Sequence, residues 1–304
     1  MICQHTVATP YMVGDCHFYT TELAGELVLF DTGPPTISAW ETLCREVDLS
    51  RLKHIFLTHW HIDHCGQVNK IQAASGATVY LSELDALKLH HQQQRLELLK
   101  LELVRMGFNA EFQQRLYEQG SHVGLFSEPP EHYQVLEFSP KVQQLGLDYL
   151  HCAGHSQSDL IFLLGESAIS GDILLANIFQ SPLLEIDLRT FAGRFDNYTA
   201  YCASLVKFRQ LRGRNVLPGH RYSATRIDAV VSFYVAKLRE RAAHLAQFAV
   251  GTPVSRIVAT LFGDLLVNPV VTYLKASEVL FMQDYLARPH LLDEALTAFG
   301  LTEN

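Results

Sequence analysis

Hydrophobic positions change period several times along the chain. Between Tyr11 and Phe30, β-branched and aromatic residues end in the run Leu27-Val28-Leu29-Phe30, bounded by Asp31-Thr32-Gly33-Pro34-Pro35. This predicts two or three strands followed by a loop. Ile37, Trp40, Leu43, Cys44 and Val47 then recur at helical spacing, which predicts an amphipathic helix over 36–47. The pattern continues with a strand over 53–58, a polar histidine-rich loop, a helix near 66–74 and a strand over 78–81. Such alternation belongs to an α/β fold.

Residues 83–120 break that rhythm. Leu84, Leu87, Leu96, Leu99 and Leu103 lie in a long Gln/Glu/Lys-rich stretch stopped by Gly107, and Asn109 can cap a second helix. We read a helical insertion whose leucine stripe serves as core or as a homodimer contact, with a lid as the alternative. Strands resume near 147–152, 160–164 and 168–170, before an irregular aromatic stretch that runs to Phe195. A helix over 198–211 and a strand over 215–217 close the unit. Asn197-Tyr198-Thr199 fits a glycosylation sequon but reads better as that helix's start. Beyond His220, Ile227, Val230, Val231, Tyr234 and Leu238 form a helical stripe. Thr252-Pro253 signals a cap and first turn ahead of Ile257, Leu261 and Phe262. The expected organisation is a catalytic unit over 1–222 and a helical region over 223–304.

Composition narrows the class. Hydrophobic residues make up 48% and charged residues 18%, the balance of a chain that folds around a core. No apolar run approaches the length of about 18 residues that suggests a membrane helix. No secretory leader is visible at Met1-Ile2-Cys3-Gln4-His5, so a cytoplasmic location is the expectation. A net charge of -8 disfavours extended nucleic acid as a partner. The six cysteines form no C-x-x-C pair and read as small core residues or lone thiols; Cys65 and Cys152 are assigned to packing. Fifteen histidines in 304 residues prompt a search for metal ligands.

That search finds Thr58-His59-Trp60-His61-Ile62-Asp63-His64-Cys65-Gly66, an H-x-H-x-D-H string between a predicted strand and a predicted helix. Two imidazoles bind metal weakly, so further donors are expected at the ends of later strands. His155, in Ala153-Gly154-His155-Ser156, follows one strand; Asp172, in Ser170-Gly171-Asp172-Ile173, follows another; His220, in Leu217-Pro218-Gly219-His220, follows a third. Each is flanked by a glycine, which lets the backbone approach closely. His54 and His151 fall on strands and read as structural.

These residues resemble the metallo-β-lactamase-fold superfamily, in particular its glyoxalase II-like, two-metal branch, over about residues 10–222. The resemblance implies a four-layer αββα sandwich, here with a helical insertion and a helical C-terminal tail. It implies that His59, His61 and His155 hold one ion, that Asp63, His64 and His220 hold the other, and that Asp172 bridges them. Asp31 and Thr58 would orient those ligands. Zinc is the favoured metal, with manganese and iron as alternatives. Where relatives often carry Thr-Pro-Gly after the third histidine, this chain has Ser156-Gln157-Ser158.

Two divalent ions about 3.5–4 Å apart can share a water and lower its pKa, leaving hydroxide poised for attack on a carbonyl or phosphoryl centre. Asp63 is then the group suited to orient that hydroxide and protonate the leaving group. Thioester or lactone hydrolysis of a small molecule is favoured. A phosphodiesterase or ribonuclease, and a metal-containing regulatory binding protein, are the alternatives. His17, Tyr19 and Tyr222 are candidates for the mouth of the site, and Phe179, Phe191, Arg194 and Phe195 for a substrate wall.

Overall fold

The computed structural model of the chain describes residues 1–122, 128–180, 182–263, 266 and 268–301. The last residues of the helical region expected over 223–304 lie outside the described residues. The strands are β1 (Cys3–Val7), β2 (Cys16–Leu23), β3 (Glu26–Phe30), β4 (Leu52–Phe56), β5 (Thr78–Leu81), β6 (Tyr133–Val135), β7 (Asp148–His151), β8 (Leu160–Leu164), β9 (Ser167–Gly171) and β10 (Asn215–Pro218). They form a six-stranded sheet in the order β1-β2-β3-β4-β5-β6 and a four-stranded sheet in the order β10-β9-β8-β7.

The helices are α1 (Ile37–Glu46), α2 (Ile62–Cys65), α3 (Val68–Ser75), α4 (Glu83–His90), α5 (Gln92–Arg105), α6 (Ala110–His122), α7 (Pro140–Gln144), α8 (Asn197–Lys207), α9 (Ile227–Ala243), α10 (Val254–Phe262), α11 (Pro269–Ala287) and α12 (Pro289–Phe299). Several begin where a side chain satisfies a free backbone N–H. Thr36 accepts from Ala39 N at 3.2 Å, Asn109 from Phe112 N at 2.8 Å and Asp196 from Thr199 N at 3.1 Å. The helix expected from Thr252-Pro253 starts at Val254, but Thr252 does not cap it. Its hydroxyl donates back to Ala249 O at 2.8 Å, and Pro253 takes the cap position.

Alternation along the strands divides their side chains between three cores. Val28, Phe30, Phe56 and Tyr80 of the large sheet meet Leu160, Phe162, Ile169 and Leu217 of the small sheet, filling the space between the two. On the far side of the large sheet, Leu29, Ile55, Val79 and Leu81 pack against Ala39, Leu43, Val68 and Ile71 of α1 and α3. On the far side of the small sheet, Ile161, Ala168 and Val216 pack against Tyr201, Leu205, Val231, Leu238 and Phe281. The layers therefore run helix, sheet, sheet, helix. Because inner strands are buried on both faces, they read as continuous apolar runs.

Leu103, Met106 and Phe108 of the insertion and Leu292 and Phe299 of α12 belong to that same third core, so the insertion and the C-terminal helices are packed onto the small sheet. Among the described residues, no helix is long and apolar enough to cross a membrane. Two edge strands escape the hydrophobic pattern. In β1, a polar residue fills a buried position: His5 is held by Thr20 Oγ1 at 2.8 Å and Glu46 at 3.0 Å and stacks on the Phe18 ring at 4.9 Å. In β6, all three residues are exposed or half-buried.

Candidate metal centre

Strand ends deliver the site. His59 follows β4, His155 follows β7, Asp172 follows β9 and His220 follows β10, while Asp63 and His64 lie on the short helix α2 with His61 at its cap. The structure brings all seven together. Ligand-capable atoms lie within 4.8 Å of one another in three overlapping groups: His59, His61 and His155; His59, His64 and Asp172; and Asp63, His64 and His220. Asp172 spans the centre, its Oδ1 3.4 Å from His64 Nε2 and its Oδ2 3.4 Å from His220 Nε2 and 3.8 Å from His155 Nε2. Asp63 Oδ2 stands 3.3 Å from His220 Nε2, and His155 Nε2 lies 3.0 Å from His61 Nδ1.

Such crowding needs close backbone approach. A Cβ on Gly219 would lie 2.4 Å from His64 Cε1 and 2.5 Å from Asp172 Oδ1, and one on Gly171 would lie 2.6 Å from Thr58 Oγ1. Gly171 also has φ of +52°, a region that other residues enter at a cost. Asp31 bears that cost, with φ of +58°. In return its carboxylate binds Thr58 N and Thr58 Oγ1, each at 2.8 Å, and His64 Nδ1 at 2.9 Å. Thr58 Oγ1 lies 3.0 Å from His59 Nδ1, and His220 Nδ1 lies 2.7 Å from Asp15 O. The outer nitrogens of three imidazoles are thereby engaged and their Nε2 atoms are left pointing into the cage.

Those inner atoms are the test of fit. His59 Nε2, His64 Nε2, His220 Nε2 and Asp172 Oδ1 are all buried without a hydrogen-bond partner. Buried polar atoms are rarely left so, and four at one point match the donor set of a divalent cation. The electrostatics divide across the cage. Burial pushes His59 and His61 well below the ordinary imidazole range, and neighbouring imidazoles add to the effect. Burial opposes protonation of His220 too, but the Asp172 and Asp63 carboxylates outweigh it and raise its pKa to about 10. They and Asp31 likewise hold His64 high against burial.

A cavity of about 580 Å³ opens from the cage, and His61, Asp63, His155, Asp172 and His220 line one end of it. Of the residues expected to touch substrate, Phe179 lines this cavity. The others are placed elsewhere, each for a visible reason. Tyr19 is buried and donates to Pro218 O at 2.6 Å, and His17 lies 2.7 Å from Arg221 O, so both brace the His220 loop from behind. Tyr222 projects outward with 77% exposure. Phe191 packs on His91 at 4.8 Å, Arg194 donates two hydrogen bonds to Asp284 at 2.7 and 2.5 Å, and Phe195 N donates to Glu185 O at 2.7 Å.

Beside the three-histidine end lies a buried polar cluster that the pattern of the sequence did not single out. Lys88 Nζ reaches Glu185 Oε1 at 2.6 Å and Ser156 Oγ at 3.0 Å. Ser158 Oγ lies 3.4 Å from the same ammonium, and Gln157 N donates to Glu185 Oε2 at 2.8 Å. The unusual Ser156-Gln157-Ser158 segment was the available signal: two hydroxyls beside His155 need a polar partner, and the insertion supplies Lys88.

Residues 12–220 match the profile of the metallo-beta-lactamase superfamily. A probable metallo-hydrolase, YqjP, of Bacillus subtilis (strain 168) is 25% identical over 256 residues, covering 77% of this chain and 76% of that protein. The metallo-beta-lactamase family protein TTHA1429 from Thermus thermophilus has a similar structure, with a TM-score of 0.74 at 19% identity over 95% of this chain and 94% of its own. A beta-lactamase domain protein from Burkholderia ambifaria gives a TM-score of 0.66 at 16% identity over 95% and 86%. Both structural likenesses extend past residue 220 into the C-terminal helices. The chain belongs to the metallo-beta-lactamase superfamily of metal-dependent hydrolases.

Proposed function

We propose that this protein is a dinuclear hydrolase of the glyoxalase II-like kind that cleaves a small ester-like bond, with thioester or lactone ahead of phosphodiester. The observation that carries the reading is the set of four orphaned, buried donor atoms ringed by seven ligand-type side chains, with both oxygens of Asp172 turned to different imidazoles. His59, His61 and His155 would hold one cation, Asp63, His64 and His220 a second, and Asp172 would join the two. Zinc suits this histidine and carboxylate set best, and manganese or iron would also be accepted. Bound divalent cations supply Lewis-acid activation of water and polarisation of the scissile carbonyl.

The chain's own residues do the rest. Asp31 and Thr58 fix the orientation of His64 and His59, so the cage is assembled before substrate arrives. Asp63 lines the cavity and its carboxylate contacts His220, which suits it to carry a proton to the leaving group. Trp60 and Ile62, flanking His61, line the same cavity and restrict water at the reacting carbonyl. The net charge of -8 and the leucines on the cavity wall favour a small, weakly charged substrate over a polyanion.

Elemental analysis of freshly purified protein tests the metal count, and two equivalents are expected. Loaded protein should then turn over members of a panel of thioesters, lactones and bis-aryl phosphates, the first two fastest. Asp63→Asn should keep metal and lose turnover. A single equivalent of metal would remove the dinuclear reading. Inertness toward the whole panel, with metal present, would remove the hydrolytic one.

A further inference from the structure

The cage occupies only one end of its cavity. The remainder is a chamber between elements that the family profile does not cover or that interrupt it. Leu96 and Leu99 of α5 and Leu116 of α6 form one wall, and Val271 and Leu274 of α11 another. Ile178 and Phe179, from the segment after β9, add to the lining. At about 580 Å³ the whole space falls within the range of small-ligand sites, and well beyond what a reacting carbonyl needs. Several of these side chains stay half-buried, presenting apolar surface to the cavity instead of closing on one another.

Most basic side chains on the wall are already paired with carboxylates. Lys88 meets Glu185 at 2.6 Å, Lys100 meets Glu97 at 2.8 Å and Lys275 meets Glu278 at 2.9 Å. Arg241 also pairs with Glu278 and lies over the Phe179 ring at 4.8 Å. Arg95, which donates to Lys88 O at 2.9 Å, and Arg221 also line the cavity, and the rest of what a ligand meets in the chamber includes aliphatic surface contributed by three helices and a loop.

We infer that the chamber binds an aliphatic chain of the substrate while the ester-like group rests at the cage. This deepens the hydrolase reading and rests on it for the identity of the reacting bond. The chain enters either on the acyl side or on the leaving-group side, and burial of each methylene would favour the longer substrate by about twofold to fourfold.

Two measurements on the purified full-length protein test the inference. In the first, S-acyl-N-acetylcysteamine thioesters from acetyl to decanoyl, and acetate esters of alcohols from ethanol to decanol, are compared by kcat/KM. At least one series should rise tenfold or more from shortest to longest, chiefly through KM, and the series that rises identifies the side. In the second, decanol should displace the neutral fluorophore 1-aminoanthracene, whereas ethanol should not; this readout requires no turnover.

Leu99→Trp on α5 and Leu274→Trp on α11 fill the chamber from two different helices, and each should abolish displacement by decanol. Turnover that is flat along both series, with no displacement by decanol, would overturn the inference while leaving the hydrolase intact. Displacement that the tryptophan variants abolish, with no substrate turned over, would sustain the chamber and overturn the hydrolase reading instead.

Discussion

The floor and the roof of the cavity are built on opposite principles. The floor is a cage of seven polar side chains at strand ends, where backbone is pressed so close that Gly219 and Gly171 admit no side chain. Its order comes from directional bonds such as those of Asp31 to Thr58 and His64. The roof is made of helices from the insertion and the C-terminal region, and it touches the cavity through leucines and valines interspersed with polar side chains such as Arg95 and Gln113. Directional bonding leaves no tolerance for displacement of a donor, whereas dispersion and burial allow side chains to shift. Chemistry should therefore be fixed by the floor and substrate choice by the roof, and variants in each ought to fail differently.

The largest effect is expected at the centre of the floor. Asp172→Ala removes both oxygens that reach toward His64, His155 and His220. Metal content measured by elemental analysis should fall, and turnover should drop to the rate of the uncatalysed reaction. Retention of both activity and metal would show that the cage does not depend on its middle carboxylate.

Next in size is the joint between the two regions. Lys88 and Glu185 are both buried, with 5% and 6% of their side chains exposed, and they tie α4 to the loop beside His155. Lys88→Met leaves the Glu185 charge in place with only Ser156 and Gln157 donating, and should destabilise the protein by about 3 kcal/mol in urea unfolding. A second change, Glu185→Leu, should restore much of that loss. The pair also imposes a pH dependence. Burial would raise the Glu185 pKa, but Lys88, then His61 and Arg95, overcome it and draw it from 4.5 to about 2. The resulting stabilisation is complete above the unfolded-state value and fades as pH falls toward the folded one. Wild type should thus lose about 3 kcal/mol relative to Glu185→Gln between pH 5 and pH 2.

A smaller effect should follow from loosening the floor without removing a donor that faces inward. Asp31→Asn keeps the shape of the side chain but weakens its hold on His64 Nδ1. Metal affinity should fall about 10–100-fold, as measured by competition with a chromophoric chelator. If affinity is unchanged, the positive φ of Asp31 serves the turn alone and the orienting role is lost.

The same contrast explains what could be read from the sequence. His59, His61, Asp63 and His64 fall in one short string, and His155, Asp172 and His220 each follow a short apolar run, so local pattern was enough to assemble the floor. Strands buried on both faces announced themselves because alternate side chains enter two different cores, as Leu29 and Phe30 do. β1 stayed hidden because a polar residue, His5, fills one of its buried positions, hydrogen-bonded to Thr20 and stacked on Phe18. The roof was legible as helices but not as a binding surface. Leu99 and Leu274 stand far apart in the chain, and no periodicity indicates that both line one cavity. His17 and Tyr19 were traced to the right neighbourhood, but their polar atoms turn to backbone at Arg221 and Pro218, which spacing cannot reveal.

The smallest expected effect bears on the outer side of the roof. On α5, Leu99 faces the cavity and Leu103 is buried at 2%, whereas Leu101 and Val104 are exposed at 55% and 59%. Leu101 and Leu103 project to opposite sides because two helical steps turn the chain by about 200°. Leu103→Ala should cost about 2–5 kcal/mol, while Leu101→Gln should change stability by less than about 0.5 kcal/mol. A larger cost at Leu101, growing with protein concentration and accompanied by loss of a dimer in sedimentation velocity, would mean that a second copy covers this face. The insertion would then serve substrate on one side and assembly on the other. A negligible and concentration-independent change would leave the insertion with the core and the chamber as its apolar tasks.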